Sequence, residues 1–398
     1  MAKAAIQWTS RWLLVTTFLV SARAQVGGTW TPSNVPGTNN WSAVAAAVDG
    51  TKLVATSYDD QDFNPGGIYT STNAGATWTL TTAPSNFWYG VTSSTNGQKL
   101  AAVILGGGIF TSADSGKNWT QSTNAPDAAW YAIACSWDGN RLVALAGGSD
   151  RFIYTSTDSG QTWTSNNAPD TEYWYAVASS SDGQRLVAVS NSNTNGAAGA
   201  IFTSTDGGAV WISNKLSGIN WTGVGSSGDG QRLVASGSSS DVFVSSDGGT
   251  NWSRVPGVLG FFTGAAASAD GSKLVVVSNG GQIYTSIDWG ADWVSNSAPS
   301  LPWQEVAASR DANLIVAAVP DDQIYTLRSS PTLSLAVNGN QALLGWPWPS
   351  AGYALWQNTN LTTTNWQAVA PLPILTNWRY EAAVPRPVPQ NYFRLKNP

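Results

Sequence analysis

The chain has 398 residues, with 22 Trp and 40 Gly, and charged residues make up only 11% of it. Aromatic bulk, many turns and few charges together make an all-β composition rather than a disordered one. There is no histidine and only one cysteine, Cys135. This excludes Ser-His-Asp and Cys-His catalysis, histidine metal sites and any disulfide framework.

The first 24 residues stand apart. Lys3 and Arg11 supply positive charge, Trp12–Val20 is a short apolar run, and Ala22-Arg23-Ala24 has the A-x-A form of a cleavage site. The pattern predicts a secretory signal peptide over 1–24, since nine apolar residues cannot cross a bilayer. No later segment is apolar enough to span, so the mature chain is expected to be secreted, periplasmic or at the cell surface, without an integral membrane span. Without Lys3, Arg11 and Arg23, 16 basic residues face 24 acidic ones. An acidic exported chain is a poor match for nucleic acid or anionic membrane, both of which select basic surfaces.

From residue 25 the chain is repetitive, and a fixed period sets the architecture. One repeat reads W-x-x-V-A-x-S-x-D-G-x-K/R-L-V-A. Its leading aromatics are Trp41, Trp88, Trp130, Trp174, Trp221, Phe262 and Trp303. Nine residues after each comes Gly50, Gly97, Gly139, Gly183, Gly230 or Gly271, with Ala312 in the last copy. The second repeat, S-x-D-x-G-x-x-W, occurs at Ser71–Trp78, Ser112–Trp119, Ser156–Trp163, Ser204–Trp211, Ser245–Trp252 and Ser286–Trp293. Each unit carries four strand signals. In the fourth these are Trp174–Ser179, Arg185–Ser190, Ala200–Ser204 and a strand around Trp211, with Asp182-Gly183 as a hairpin turn. A four-stranded unit of this length, repeated radially, is a propeller blade. The last unit ends at Ile324-Tyr325-Thr326 without the second motif, and Gly28-Thr29-Trp30-Thr31 supplies the missing strand. The expectation is a seven-bladed β-propeller over 25–330, closed by its N-terminal strand, which would abolish the open edges.

Pro331 opens a different region. Residues 331–398 carry neither repeat but show short strand-like runs (TLSLAV, ALLGW, YALWQ, NWQAV, RYEAAV, YFRLK) between Pro- and Asn-rich turns. These predict a small β-sandwich.

The S-x-D-x-G-x-x-W motif resembles the Asp-box, or BNR repeat, of sialidases, two-domain xyloglucanases, sortilin-type receptors and a photosystem II assembly-factor family. The resemblance covers roughly residues 28–328 and implies the propeller fold. It does not choose among activities, because such motifs sit on unrelated functions. The tail, with Leu344–Pro347 (L-x-W-P), Asn360–Trp366 and a final F-R-L-K-N-P, is similar to a short immunoglobulin-like module of exported bacterial proteins. That likeness implies a role in attachment or export, hence cell-surface association.

Candidate chemistry is weighed against structure at each place. The ring Asn73, Asp114, Asp158, Asp206, Asp247 and Asp288 reads as turn stabilisation, since Asn73 serves there without a charge. Lys52, Lys99, Arg141, Arg185, Arg232 and Lys273 form a basic ring that reads as local pairing with the turn aspartates or a solvated rim rather than an anion-binding face, since a surface pair contributes little and Leu314 breaks the series. Trp88, Trp130, Tyr173, Trp174 and Trp303 are expected at the upper mouth, where aromatics could stack on a sugar or grip a peptide; packing between adjacent blades is the alternative, and the stronger one for the repeated Trp. Phe87, Tyr89, Tyr131, Tyr175 and Phe261 adjoin them. Glu305 replaces the Gly or Ala of the other units, and a carboxylate there must be solvated or paired. Asp59, Asp60 and Asp62 in one loop and Asp321 and Asp322 in another could bind a cation such as calcium through oxygen ligands. Asp60 and Asp322 are also the candidate partners of Glu305 in a glycoside-hydrolysing carboxylate pair.

The sialidase F/Y-R-I-P segment is absent, there is one propeller rather than two, and no nucleophile motif or phosphate loop appears. The leading expectation is a non-catalytic module presenting its mouth to a glycan or peptide. A glycoside hydrolase acting through Glu305 and a purely structural surface protein are the alternatives.

Overall fold

The computed structural model describes residues 28–329, except 38, 61, 149, 150, 167, 197, 215 and 217. It also describes 333–396, except 339–340, 348–353, 360–363, 370–372, 377–378 and 386–391. The signal peptide expected over 1–24 lies outside the described residues. Every regular element among them is a β-strand, and no helix is long and apolar enough to cross a membrane. The residues up to Ser329 form one compact unit and those from Leu333 onward belong to a second.

In the first unit the sequence repeats become antiparallel sheets of four strands. Asn39–Ala46, Leu53–Asp60, Ile68–Ser71 and Thr79–Leu80 pair in that order. The same order holds for Glu172–Ser179, Leu186–Asn193, Ile201–Ser204 and Ile212–Asn214, and for the sheets that begin at Trp88, Ala128, Trp221 and Phe262. The L-V-A runs form the second strand of each sheet. They are buried along their apolar length, as continuous apolar strands covered on both faces should be. The last sheet takes Glu305–Ala308, Leu314–Ala318 and Ile324–Arg328 from the end of the unit and Trp30–Pro32 from its beginning. Trp30 pairs with Leu327 and Thr31 with Thr326, so the N-terminal strand fills the place left by the missing motif.

The apolar cores lie between sheets rather than within them. Val143, Leu145 and Ile153 of one sheet pack with Trp174, Leu186 and Phe202 of the next. Trp41, Leu53 and Ala55 of the first pack with Leu314, Val316 and Ile324 of the last. Each first strand contacts the next around the unit, and Glu305–Ala308 contacts Asn39–Ala46, so the sheets form a closed ring.

The S-x-D-x-G-x-x-W segments are turns. In Ser156–Trp163, Ser156 Oγ donates to Asp158 Oδ1 at 2.7 Å and accepts from Gly160 N at 2.9 Å. Asp158 Oδ1 accepts from Thr162 N at 2.9 Å, and Trp163 Nε1 donates to Gly160 O at 3.1 Å. Asn73 makes the same bonds with Ser71 Oγ and Thr77 N. Asp114 is held down to about 2, first by the Asn118 backbone N–H and then by its side-chain amide. These carboxylates are occupied by their own turns.

Five of the six basic-ring side chains lie across the turn glycine of the following sheet. A Cβ on Gly97 would come within 2.7 Å of Lys52, one on Gly183 within 2.8 Å of Arg141, and one on Gly271 within 2.5 Å of Arg232. The Lys52 ammonium donates to Asn96 O at 3.0 Å and to Ser115 Oγ at 3.3 Å in the next sheet, and Lys99 donates to Ser159 Oγ at 3.0 Å. Leu314 takes this place over Gly50, at 2.8 Å, and supplies the apolar stem without the charge.

In the second unit Ser334–Asn338, Gln341–Pro347, Arg379–Pro385 and Ile374–Thr376 form one sheet. Gln367–Ala368, Ala354–Asn358 and Tyr392–Lys396 form another. Leu344, Trp346 and Val384 of the first sheet share a core with Leu355 of the second and with Val369.

Two stability effects follow. Trp30 is buried with its ring 5.5 Å from Trp303, so Trp30→Ala should cost about 3–5 kcal/mol in urea unfolding. A loss below about 1 kcal/mol would show that the N-terminal strand does not close the ring. Asp158→Ala should cost about 1–2 kcal/mol for its lost turn bonds. Asp158→Asn should cost clearly less, because Asn73 already performs this role.

Candidate functional site

The first strands carry a repeated irregularity at their upper ends. Register shifts separate Trp41 from Ala43, Trp88 from Gly90, Trp130 from Ala132, Trp174 from Ala176, Trp221 from Gly223 and Phe262 from Gly264. The residue skipped in each is the bulged one, and a bulge re-aims its side chain. Where that residue is Ser or Thr it ties neighbouring sheets together. Ser42 Oγ reaches Trp88 O at 2.9 Å, Thr222 Oγ1 reaches Phe262 O at 2.7 Å, and Thr263 Oγ1 reaches Trp303 O at 2.7 Å.

In three consecutive sheets the bulged residue is tyrosine: Tyr89, Tyr131 and Tyr175. Tyr89 and Tyr131 meet edge-to-face with centroids 5.4 Å apart, and Tyr58 stands 6.3 Å from Tyr89 and 5.0 Å from Phe87. Burial, then Tyr175, Tyr131 and Glu305, push the Tyr89 hydroxyl far above the ordinary phenol range. Burial and Glu305 raise Tyr175 as well. The Glu305 carboxyl thus lies close enough to the Tyr89 and Tyr175 hydroxyls to act on them.

Glu305 stands where the other first strands have Ala43, Gly90, Ala132, Ala176, Gly223 and Gly264. A Cβ on Gly264 would come within 3.0 Å of Glu305 Oε1, so the carboxyl occupies space that the neighbouring glycine leaves open. Oε1 accepts from Val306 N at 3.0 Å. Burial raises the carboxyl to about 7, against the lowering effect of the Val306 amide. No second carboxylate acts on it among the described residues.

The leading tryptophans are corrected by the structure. Trp88, Trp130, Trp174 and Trp303 are exposed by 0, 0, 1 and 0%, so they offer a ligand no surface. Each meets an aromatic of its own third strand edge-on: Phe110, Tyr154, Phe202 and Tyr325. Three indole N–H groups donate to loop carbonyls, Trp88 to Pro84, Trp130 to Gly107 and Trp174 to Arg151. The exposed aromatics are the non-repeated ones. Phe63 is 81% exposed, Phe261 69% and Tyr173 38%, the last with Arg151 at 4.5 Å over its ring and bonded to its hydroxyl at 3.1 Å.

The acidic loops do meet at the join of first and last sheets. Asn39 pairs with Asp60 on one side and bridges to Asp322 on the other. Asp59 is buried, Asp321 N donates to Asn39 O, and Asp322 Oδ2 accepts from Tyr325 at 3.1 Å. The side chain of Asp60 lies outside the described residues, and Asp62 is on the exposed loop. Among the described residues no three acids gather so as to hold a metal ion. The expected calcium site and the carboxylate pair with Asp322 are thus not assembled by them. Cys135, bonded by Thr92 and to Ser93 O, has its thiol pushed up to about 11 by burial, which leaves it inert.

Ring closure, sheet order and a single central mouth define a β-propeller. No family model and no curated protein matches the chain. Among solved structures it is similar to "YCF48 bound to D1 peptide", with TM-score 0.57 and 15% identity, covering 75% of this chain and 96% of that one. It is also similar to YCF48 from Cyanidioschyzon merolae, with TM-score 0.57 and 13% identity, covering 75% and 98%. At such identity the likeness shows the fold.

Glu305 gives a pH signature. Its folded value lies above the unfolded one, so it binds protons more readily when folded. Its contribution is fully present below about pH 4.5 and is lost as pH rises through about 7. Glu305→Gln should therefore stabilise the protein by about 2 kcal/mol at pH 8 and by little at pH 4.5. Parallel unfolding curves at the two pH values for both proteins would show instead that Glu305 is solvated.

Proposed function

We propose that this chain is an exported, non-catalytic binding protein whose seven-bladed propeller, built on Asp-box turns, presents its upper mouth to a peptide segment of a partner. Residues 1–24 direct export, and 331–398 form a small immunoglobulin-like sandwich serving surface attachment. The observation that carries the reading is the one-sided cluster Tyr58, Tyr89, Tyr131 and Tyr175 with Glu305 close to it. It is placed by bulges at the mouth and belongs to no repeat. Phenols on a rigid scaffold give large contact area at small entropic cost. That a similar propeller has been solved with a peptide bound supports a peptide over a glycan. Among the described residues no second carboxyl acts on Glu305, which supports binding over hydrolysis, since hydrolysis needs two carboxyls about 5–10 Å apart.

The mature protein should bind members of a random peptide array and lose that binding in Tyr89→Ala/Tyr131→Ala, with an unchanged far-UV spectrum. Binding confined to a glycan array would overturn the peptide reading. Polysaccharide turnover by the wild type that vanishes in Glu305→Gln would overturn the non-catalytic one.

A further inference from the structure

We infer that the mouth takes a basic side chain, an ammonium or guanidinium group of the bound peptide, seated between the Glu305 carboxylate and the phenols Tyr89, Tyr131 and Tyr175. The inference rests on the peptide-binding reading and names the chemistry of the ligand.

Three observations lead to it. First, Glu305 takes only its own neighbour's amide among the described residues, and no cation pairs with it. The other first strands carry Ala or Gly at this place, so the strand needs no acid there. A carboxylate drawn from water asks for a counter-charge. Second, the Tyr89 and Tyr175 hydroxyls lie within reach of the Glu305 charge, with Tyr131 packed against Tyr89 at 5.4 Å; phenol oxygens accept from an ammonium or guanidinium and phenol rings attract cations. Third, the surroundings are negative. Residues 25–328 hold 23 acidic against 12 basic residues, and Asp59, Asp62, Asp321 and Asp322 sit on the loops beside the Glu305 sheet. Such a field raises the local concentration of cationic segments. The nearest basic residue along the strand, Arg310, is at the lower end, stacked at 3.9 Å over Trp137. Five residues of strand put it about 17 Å below Glu305. The exposed Phe63, Leu259 and Phe261 of the upper loops suit apolar residues flanking the basic one.

The probe is a pair of fluorescein-labelled heptapeptide pools, acetylated and amidated at their ends, with Leu, Phe, Tyr and Ser mixed at the flanking positions. One pool has a central Arg and the other a central citrulline, which keeps the shape and removes the charge. Fluorescence anisotropy with the mature wild-type protein at pH 8 should show the Arg pool bound at least about tenfold more tightly. Glu305→Gln should reduce that preference below about twofold while still binding both pools through the apolar contacts. In the wild type the preference should fade between pH 8 and pH 5.5. The groups facing Glu305 from the packed elements are Thr263 and Gly264, Ser42 and Ala43, Ala318, and Tyr89 and Tyr175. None of these titrates in that range, so the fade reports Glu305 without any variant. Equal binding of the two pools by the wild type would overturn the cationic ligand and leave peptide binding standing. A preference that survives in Glu305→Gln would overturn the role of Glu305. Failure of the folded wild type to bind either pool would overturn both readings.

Discussion

A cycle of backbone hydrogen bonds around the lower end of the ring is the constraint on which the rest depends. Val48 N donates to Thr95 O, Thr95 to Trp137, Trp137 to Ser181, Ser181 to Gly228, Gly228 to Ala269, Ala269 to Arg310, and Arg310 back to Val48, at 2.7–3.0 Å. Each bond joins the turn after one first strand to the same turn of the next sheet. A chain of such bonds that returns to its start admits no spare sheet and no missing one. Single bonds of this kind contribute only about 1 kcal/mol, but the cycle fixes the spacing at which each long side chain can lie over the next turn glycine. The glycines Gly97, Gly139, Gly183, Gly230 and Gly271 have φ between 64° and 69°, which L residues with a Cβ rarely adopt. Close approach and backbone conformation thus favour glycine together, although Ala312 holds the same turn with φ 45° in the last sheet.

This explains which parts of the fold were legible in the sequence. Strands, turns and the contribution of Trp30 to the last sheet were readable because each leaves a periodic mark. The serine-aspartate turns were readable because Asn73 showed that charge is dispensable. The stems of Lys52, Arg141 and Arg232 pack over the turn glycine of the next sheet, a contact that a charged residue type does not announce in a sequence. The leading tryptophans lie at the upper end of a strand as read, and the edge-to-face contact with a third-strand aromatic draws each indole between sheets, the packing reading weighed against a ligand contact.

The site was half legible. Glu305 stood out as the residue breaking a series of Ala and Gly. Tyr89, Tyr131 and Tyr175 follow the repeated aromatic directly, and alternation alone would have sent them into a sheet interface. The bulge, visible only in the pairing register, sends them elsewhere. Adjacency to the repeated aromatic already put them beside the mouth, and the bulged position sets them apart as a group: Ser42, Thr222 and Thr263 are small hydroxyl residues that bond across to the next sheet, and the three tyrosines interrupt that set. Tyr58 carries no repeat signal and is recruited by the ring geometry alone.

The cost of Glu305 points the same way as its position. A ring of near-identical sheets offers each first strand the same environment, and elsewhere that environment is filled by a methyl group or a hydrogen. Replacing one of these by a carboxyl that burial raises to about 7 makes the native state less stable at neutral pH, and no internal cation among the described residues offsets this. Strand pairing does not require it, because Glu305 pairs with Ala318 through backbone groups that any residue supplies. A side chain that weakens the fold and adds nothing to its pairing marks a place where the internal symmetry is broken at a cost in stability, as functional sites commonly require.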